Sequence, residues 1–185
     1  MHRSRGAQSV QAAVAETAAG KRHCGTESPT NISDLATWWP TIKPASYYTF
    51  ASGALGWGAP AALAQKGSGT GRPVVAVIGD GSLQYSIQCL ASAAQHKLKV
   101  IYVIPCNGEY AALKEFAELE KTPNVPALDL PELDIVSTAK GFGWASTRCP
   151  LRACGATSVS QIAVSTASIW QKNCRMFRDS LCRQC

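Results

Sequence analysis

The sequence predicts an α/β fold in which a parallel sheet carries helices on its faces. Val74 to Ile78 is an uninterrupted apolar, mostly β-branched run that ends at Gly79, which is typical of a strand buried on both faces. Apolar residues then recur at helical spacing from Ser82 to Gln95, and Val100 to Ile104 is a second strand-like run. Strand, helix and strand within about 30 residues make a βαβ unit, whose two strands are parallel.

Polar residues follow both predicted strands, at the edge where open α/β sheets bind ligands. Asp80 follows the first strand and Asn107 the second. Gly79 and Gly81 flank the aspartate, so the backbone can approach a bulky anion closely. Ser82 begins the predicted helix, so its hydroxyl and the first helical amides face the same space. A carboxylate, an amide oxygen and amide donors suit Mg²⁺ carrying a diphosphate, because this ion prefers about six oxygen ligands.

The remaining elements follow from local signals. Ser33 or Asp34 can cap a helix that continues through Trp39, and a glycine-rich loop from Gly53 becomes helical through Ala64. Elsewhere we predict a short strand or turn over 46–50, an exposed loop over 66–72, an amphipathic helix over 110–119, an extended segment over 123–131 and a helix over 133–140 that ends at Gly141.

Gly79-Asp80-Gly81 and, 24 residues later, Cys106-Asn107 resemble the Gly-Asp-Gly and Asn-Asn motif of thiamin diphosphate-dependent enzymes. The surrounding sequence most resembles the benzoylformate decarboxylase family and its 2-keto-acid decarboxylase relatives, in segments 46–48, 53–62, 108–113 and 124–129. One difference lies inside the motif, because Cys106 replaces the family's first asparagine. Asn107 matches the metal ligand, so the loss of the other amide weakens the turn rather than the ligand set.

The resemblance implies a site for thiamin diphosphate and Mg²⁺. Asp80, Asn107 and Glu109 match the metal ligands, with Glu109 acting through its main-chain carbonyl. The loop from Gly53 matches the cradle of the aminopyrimidine ring, where Leu55 either bends the cofactor or is an ordinary core leucine. The implied cofactor-binding set is Ser28, Thr30, Gly53, Leu55, Gly79, Asp80, Gly81, Ser82, Tyr85, Asn107, Glu109 and Tyr110.

Several of these positions also have an ordinary structural explanation. Ser28 and Thr30 fit either diphosphate binding or a simple turn and helix cap. Tyr85 fits either contact with the diphosphate or plain packing. The resemblance implies that Leu113 and Phe116 border the substrate pocket, although apolar residues at this spacing more often pack in a core.

Charge and cysteine are unevenly distributed along the chain. Residues 27–143 hold eight basic and ten acidic residues, whereas 1–26 hold four and one, and 144–185 hold six and one. We therefore predict an N-terminal extension (1–26), a thiamin diphosphate- and Mg-binding domain (27–143) and a divergent Cys- and Arg-rich tail (144–185). The basic excess lies in the ends, which disfavours nucleic-acid binding. No run approaches the ~20 apolar residues that span a membrane.

The two ends of the chain have separate explanations. The tail lacks clean periodicity, which favours a shifted reading frame or a truncated product and hence a domain incomplete at its C-terminus; ordered, packed helix and strand in 150–180 would count against this. The N-terminal stretch is either a transit peptide or, preferably, a helix from Val10 to Ala19. The tail cysteines do not form zinc knuckles, and no secretory segment supports disulfides, so we predict a cytoplasmic protein.

The resemblance implies decarboxylation of a small-molecule 2-keto acid. The pyrimidine-binding domain, which holds the family's activating glutamate, would come from a second copy or a partner chain, so this chain alone is expected to be inactive and receives no catalytic residue. The alternatives are a subunit of a split decarboxylase or acetolactate-synthase-like enzyme, and a non-catalytic remnant. We expect exposed apolar surface around 53–60 and 113–116, which favours association.

Overall fold

The structure, a computed structural model, describes residues 23–38, 44–69, 71–122, 124–149 and 159–164. Its strands are β1 (His23–Glu27), β2 (Tyr47–Thr49), β3 (Val74–Ile78), β4 (Val100–Cys106), β5 (Ala145–Cys149) and β6 (Val159–Val164). Within the described residues these strands form one sheet with the order β2-β1-β3-β4-β6-β5. The first four strands are parallel, and β6 runs antiparallel to β4 and β5. The predicted parallel sheet is confirmed.

Helices flank the sheet, and a single 3-10 turn at Pro29–Asn31 follows β1. The helices are α1 (Ile32–Trp38), α2 (Gly58–Gly67), α3 (Asp80–Gln84), α4 (Cys89–Gln95), α5 (Ala111–Leu119) and α6 (Ile135–Gly141). None of these helices, which are those of the described ranges, is long and apolar enough to cross a membrane.

The strand order creates a crevice between β1 and β3. The chain leaves β1 toward β2 on one side and leaves β3 toward β4 on the other, so the segments that follow these two adjacent strands diverge. Glu27 and Ile78 are partners at the carboxyl ends of the two strands, and the Gly79 amide donates to the Glu27 carbonyl oxygen at 3.0 Å. Open α/β sheets bind their ligands at such a point.

The core is centred on β3, in which all five residues are buried as the sequence predicts. The side chain of Tyr102 crosses this core from β4. Its hydroxyl donates to the carbonyl oxygen of Ala59 in α2 at 2.8 Å, and its ring lies 5.2 Å from the ring of Trp144. These contacts connect α2, β4 and the segment after α6.

The predicted helix from Ser82 to Gln95 is instead two short helices, so this prediction is wrong in detail. The helix α3 already begins at Asp80, and a turn separates it from α4. The Tyr85 amide donates to the Ser82 carbonyl oxygen three residues earlier, and bonds of this spacing recur through residue 91, which interrupts the α-helical pattern. Tyr85 also packs beside Gly56, where an added Cβ would lie 3.0 Å from the tyrosine Cβ. That tertiary contact has no local sequence signal.

Other boundaries differ by a few residues. The helix α1 begins at Ile32, before either predicted cap, because the 3-10 turn leads directly into it. The helix α2 continues to Gly67, so the exposed loop after it is shorter than predicted. The helix α6 begins at Ile135, because the Asp134 carboxylate caps it by accepting from the Ser137 amide at 3.1 Å.

The sheet extends past both predicted boundaries of the central domain. At the N-terminal side, β1 begins at His23, and all five of its residues pair with β3. At the C-terminal side, Trp144 is buried and its indole N–H donates to the Leu90 carbonyl oxygen at 2.9 Å. In the tail, the strand β6 pairs with β4 and β5; it is the only described part of 150–180, so the hypothesis of a shifted frame stays a prediction. The predicted helix Val10–Ala19 and the cysteines after 149 lie outside the described residues.

Candidate functional site

A cavity of about 520 Å³ lies at the carboxyl ends of β1, β3 and β4. All twelve residues predicted to bind the cofactor line it, together with both predicted pocket residues. These are Ser28, Thr30, Gly53, Leu55, Gly79, Asp80, Gly81, Ser82, Tyr85, Asn107, Glu109, Tyr110, Leu113 and Phe116. The fold thus brings together, in one place, residues from four separate segments of the chain.

Asp80 joins the two halves of the motif. It is buried, and one carboxylate oxygen accepts from the Gly81 amide at 2.9 Å while the other accepts from the Gly108 amide at 2.9 Å. Burial raises the pKa of Asp80, and the amides of Gly108, Gly81 and Asn107 act in the opposite direction by stabilising the carboxylate. Each carboxylate oxygen keeps a lone pair beyond these bonds, so the group can ligate a cation while the backbone holds it.

Two buried hydroxyls converge on Gly79. A Cβ added at this glycine would lie 3.5 Å from Oγ of Ser82 and 3.8 Å from Oγ of Ser28. The Ser28 hydroxyl is itself held in place, because it accepts from the Asn31 side-chain amide at 2.9 Å. Both serines line the cavity. Hydroxyl groups around a side-chain-free backbone form a compact cradle for phosphate oxygens.

The ring of Tyr110 lies directly over Gly81. A Cβ at this glycine would be 2.5 Å from Cε1 of the ring, so only glycine fits. Burial raises the pKa of Tyr110, with further contributions from its hydrogen bond with Tyr85 and from the charge of Asp80. Both tyrosines line the cavity, and Tyr85 is 59% exposed although its Cβ lies beside Gly56.

The segment after β4 is tied down by a second strand-like segment. The Tyr110 amide donates to the Leu128 carbonyl oxygen, and the Leu130 amide donates to the Gly108 carbonyl oxygen, both at 2.8 Å. Lys114 strengthens this pairing with ion pairs at 2.6 Å to Glu109 and, likewise at 2.6 Å, to Asp129. The Glu109 carboxylate is therefore engaged by a lysine, which leaves its main-chain carbonyl as the predicted metal ligand.

The donor set fits a hard cation that takes further ligands from its cofactor. The Asn107 side-chain oxygen accepts from the Glu109 amide at 3.3 Å, and it lines the same cavity as Asp80. The described residues contain no group of three or more His, Cys, Asp or Glu side chains placed to hold a metal. A cation held by Asp80 and Asn107 would complete its shell with carbonyl, water and phosphate oxygens, as Mg²⁺ commonly does.

The apolar wall of the cavity comes from α5, which has no buried residue. Leu113 is 49% exposed and Phe116 is 60% exposed. Neither side chain is therefore buried within this chain. Trp57, at 38% exposure, extends the exposed apolar surface on the side of the glycine-rich loop.

Sequence reasoning missed several residues of the cavity. Pro29, Asn31, Phe50, Pro105, Ala111 and Ala112 also line it, as does Cys106, which the sequence placed in the motif but not in the binding set. Most of them adjoin predicted positions, so proximity in the chain could have indicated them. Glu27, the buried last residue of β1, does not line the cavity but adjoins Ser28, which does.

Comparison with known proteins defines the class of this site. The family model described as the thiamine pyrophosphate enzyme C-terminal TPP-binding domain matches residues 31–161, which is more than half of the chain. The chain therefore belongs to this family. It is a thiamin diphosphate-binding domain that is similar to part of a benzoylformate decarboxylase and part of an acetolactate synthase subunit.

Three individual proteins show which members of the family this chain is similar to. The chain is 40% identical over 116 residues to benzoylformate decarboxylase of Pseudomonas aeruginosa, covering 61% of this chain and 22% of that protein. It is 38% identical over 79 residues to the acetolactate synthase isozyme 3 large subunit of Escherichia coli, covering 42% and 14%. The crystal structure of benzoylformate decarboxylase from Polynucleobacter necessarius has a TM-score of 0.73 and 38% identity, covering 94% and 30%. The chain spans less than a third of each relative.

Proposed function

We propose that this chain is the thiamin diphosphate- and Mg²⁺-binding module of a 2-keto-acid decarboxylase of the benzoylformate decarboxylase type. The observation that carries the proposal is the bond between Asp80 and the Gly108 amide at 2.9 Å. This contact joins the ends of β3 and β4, so that both halves of the motif act on one cavity.

Each part of the cavity has a task in this proposal. Asp80 and Asn107 hold the cation, the hydroxyls around Gly79 hold the diphosphate, and the loop at Gly53 and Leu55 holds the aminopyrimidine end. Thiamin diphosphate, when bound, would supply the electron sink for the loss of carbon dioxide from a 2-keto acid. The protein residues bind and orient the reacting groups.

The apolar wall supports an aryl or branched substrate side chain. Leu113 and Phe116 project from α5 into the cavity lining, next to Ala112. The two benzoylformate decarboxylase relatives favour decarboxylation. The match to an acetolactate synthase subunit supports carboligation as the second candidate, with this chain as a subunit of a split enzyme.

The free titratable groups around the cavity support the proposal that the chain is inactive alone. Among the described lining residues, the carboxylates are those of Asp80 and Glu109, and these are assigned to the metal and to Lys114 respectively. We infer that a partner chain covers the exposed wall at Tyr85 and Phe116 and brings the proton-transfer groups, whereas a second copy of this chain would only cover the wall. A cytoplasmic location stays a prediction.

A decarboxylation assay tests whether the chain is inactive without a partner. The chain with thiamin diphosphate, Mg²⁺ and benzoylformate should release benzaldehyde no faster than cofactor without protein, because neither carboxylate of the described cavity lining is free for proton transfer. Release that increases in proportion to the chain, in a preparation that contains only this polypeptide, would contradict inactivity alone. Activity that appears only when a second polypeptide co-purifies would support the split enzyme.

Cys106 provides an internal probe of cofactor binding. Its thiol lines the cavity, so thiamin diphosphate with Mg²⁺ should slow its alkylation by iodoacetamide severalfold. Cys89 is the internal control, because burial raises the pKa of its thiol to about 11. Little Cys89 thiolate therefore exists at about pH 8, with or without ligand. Peptide mass spectrometry measures both rates. Equal alkylation of Cys106 in the presence and absence of cofactor would count against a ligand in this cavity.

A further inference from the structure

Glu27 is a fully buried carboxylate to which the proposed function assigns no task. Its exposed fraction is 0%. One carboxylate oxygen accepts from the Gly56 amide at 2.6 Å, and the other accepts from the Gly58 amide. The described part of the chain gives this carboxylate no cationic partner. Both of its hydrogen bonds therefore go to the backbone of the glycine-rich loop.

Burial of an unpaired carboxylate is costly, and well-packed apolar residues often replace buried charges without loss of stability. A side chain that only filled this space would not need a charge. The two amide bonds offset part of the desolvation cost, since hydrogen bonds to an ionised acceptor are short and strong. The arrangement therefore favours a role that depends on holding those two amides.

Three segments of the cavity meet at Glu27. Its side chain binds the loop through Gly56 and Gly58, and its carbonyl oxygen accepts from the Gly79 amide at 3.0 Å. The next residue, Ser28, belongs to the hydroxyl cradle around Gly79. A Cβ at Gly58 would lie 2.8 Å from Cβ of Glu27, so the loop packs directly against this residue.

We propose that Glu27 is a positioning residue that fixes the glycine-rich loop, 53–58, relative to the hydroxyl cradle. It thereby sets the separation between the parts of the site that receive the two ends of the cofactor. This inference rests on the proposed function. Glu27 touches neither end itself; it acts through the loop that carries Gly53 and Leu55.

The test compares two ligands that differ in their need for the loop. Glu27→Gln keeps the size of the side chain but turns an amide group toward one of the two backbone N–H donors. The affinity for thiamin diphosphate with Mg²⁺ should fall about tenfold, the equivalent of one lost charge-assisted bond. The affinity for inorganic diphosphate with Mg²⁺ should stay within about twofold, because the cradle and Asp80 are unchanged.

Tyr102→Phe is the matched control. It removes a buried side-chain bond to the backbone of α2, at Ala59, without touching the loop. It should lower the thermal midpoint of the free protein while leaving the ratio of the two affinities unchanged. If Glu27→Gln weakened the binding of both ligands by the same factor, or of neither, the ratio of the two affinities would be unchanged and the positioning role would be overturned.

The binding measurements distinguish failure of the role of Glu27 from failure of the proposed function. Failure of the unmodified chain to bind either ligand would refute the proposed function itself, whereas normal binding with an unchanged ratio in the variant refutes only the role of Glu27. Should Glu27→Gln not fold, hydrogen exchange in the unmodified chain decides. The amides of Gly56 and Gly58 should exchange more slowly than that of Gly53, and equal exchange would contradict the inference.

Discussion

Trp144→Ala is expected to lower the free energy of unfolding by about 3–5 kcal/mol, the range for a large aromatic side chain removed from a core. The side chain is 4% exposed and packs on Tyr102 at a ring distance of 5.2 Å. The substitution leaves a cavity beside β4 and deprives the Leu90 carbonyl oxygen of its indole donor, at present 2.9 Å away. Urea unfolding of the purified chain measures the change.

Two variants accompany this prediction. Trp144→Phe keeps most of the packing and should cost about 1–2 kcal/mol, mainly from the lost hydrogen bond. Leu119→Ala, at a side chain that is 72% exposed, should change stability by less than about 0.5 kcal/mol. If Trp144→Ala were no more destabilising than Leu119→Ala, the core would end near residue 143, as the sequence-based boundary has it.

Asp80→Asn is expected to weaken the binding of thiamin diphosphate with Mg²⁺ at least about a hundredfold, or about 2.7 kcal/mol. The substitution removes the only lining carboxylate that is not held by Lys114 in the described part of the cavity. It also turns an amide group toward one of two backbone donors, Gly81 or Gly108. Mg²⁺ then loses its anionic protein ligand.

Asp134→Asn is the control for the replacement of a carboxylate by an amide, because the exposed Asp134 carboxylate caps α6 and does not line the cavity. Its affinity for the cofactor should stay within about twofold of the unmodified chain. Both affinities are measured by equilibrium titration at saturating Mg²⁺. Equal affinities of Asp80→Asn and Asp134→Asn would remove Asp80 from the metal site.

The parts of the fold that the sequence predicted have strong local patterns. The strand β3 is a short apolar run that ends at a glycine, and all of its residues are buried. Asp80 and Asn107 follow two neighbouring parallel strands, whose carboxyl ends meet at one edge, so their approach follows from the sheet alone. The glycines around Asp80 mark close contacts, as the ring of Tyr110 over Gly81 illustrates.

The parts that the sequence did not predict depend on contacts between distant residues. The turn at Tyr85 faces Gly56, and the buried carboxylate of Glu27 binds amides 29 and 31 residues further along the chain. Trp144 packs on Tyr102, although the composition changes abruptly just before it. Periodicity describes only which face of an element is apolar, and composition is an average, so neither can reveal such partners.

Calorimetric titration of the unmodified chain with the cofactor shows whether this cavity holds thiamin diphosphate through a divalent cation. We expect saturable binding in the presence of Mg²⁺ that disappears when the metal is chelated and in Asp80→Ala. Absence of binding under every condition would contradict this expectation and support a remnant that keeps the fold without the ligand. Binding that is equally strong without metal would contradict the role of Asp80 and Asn107.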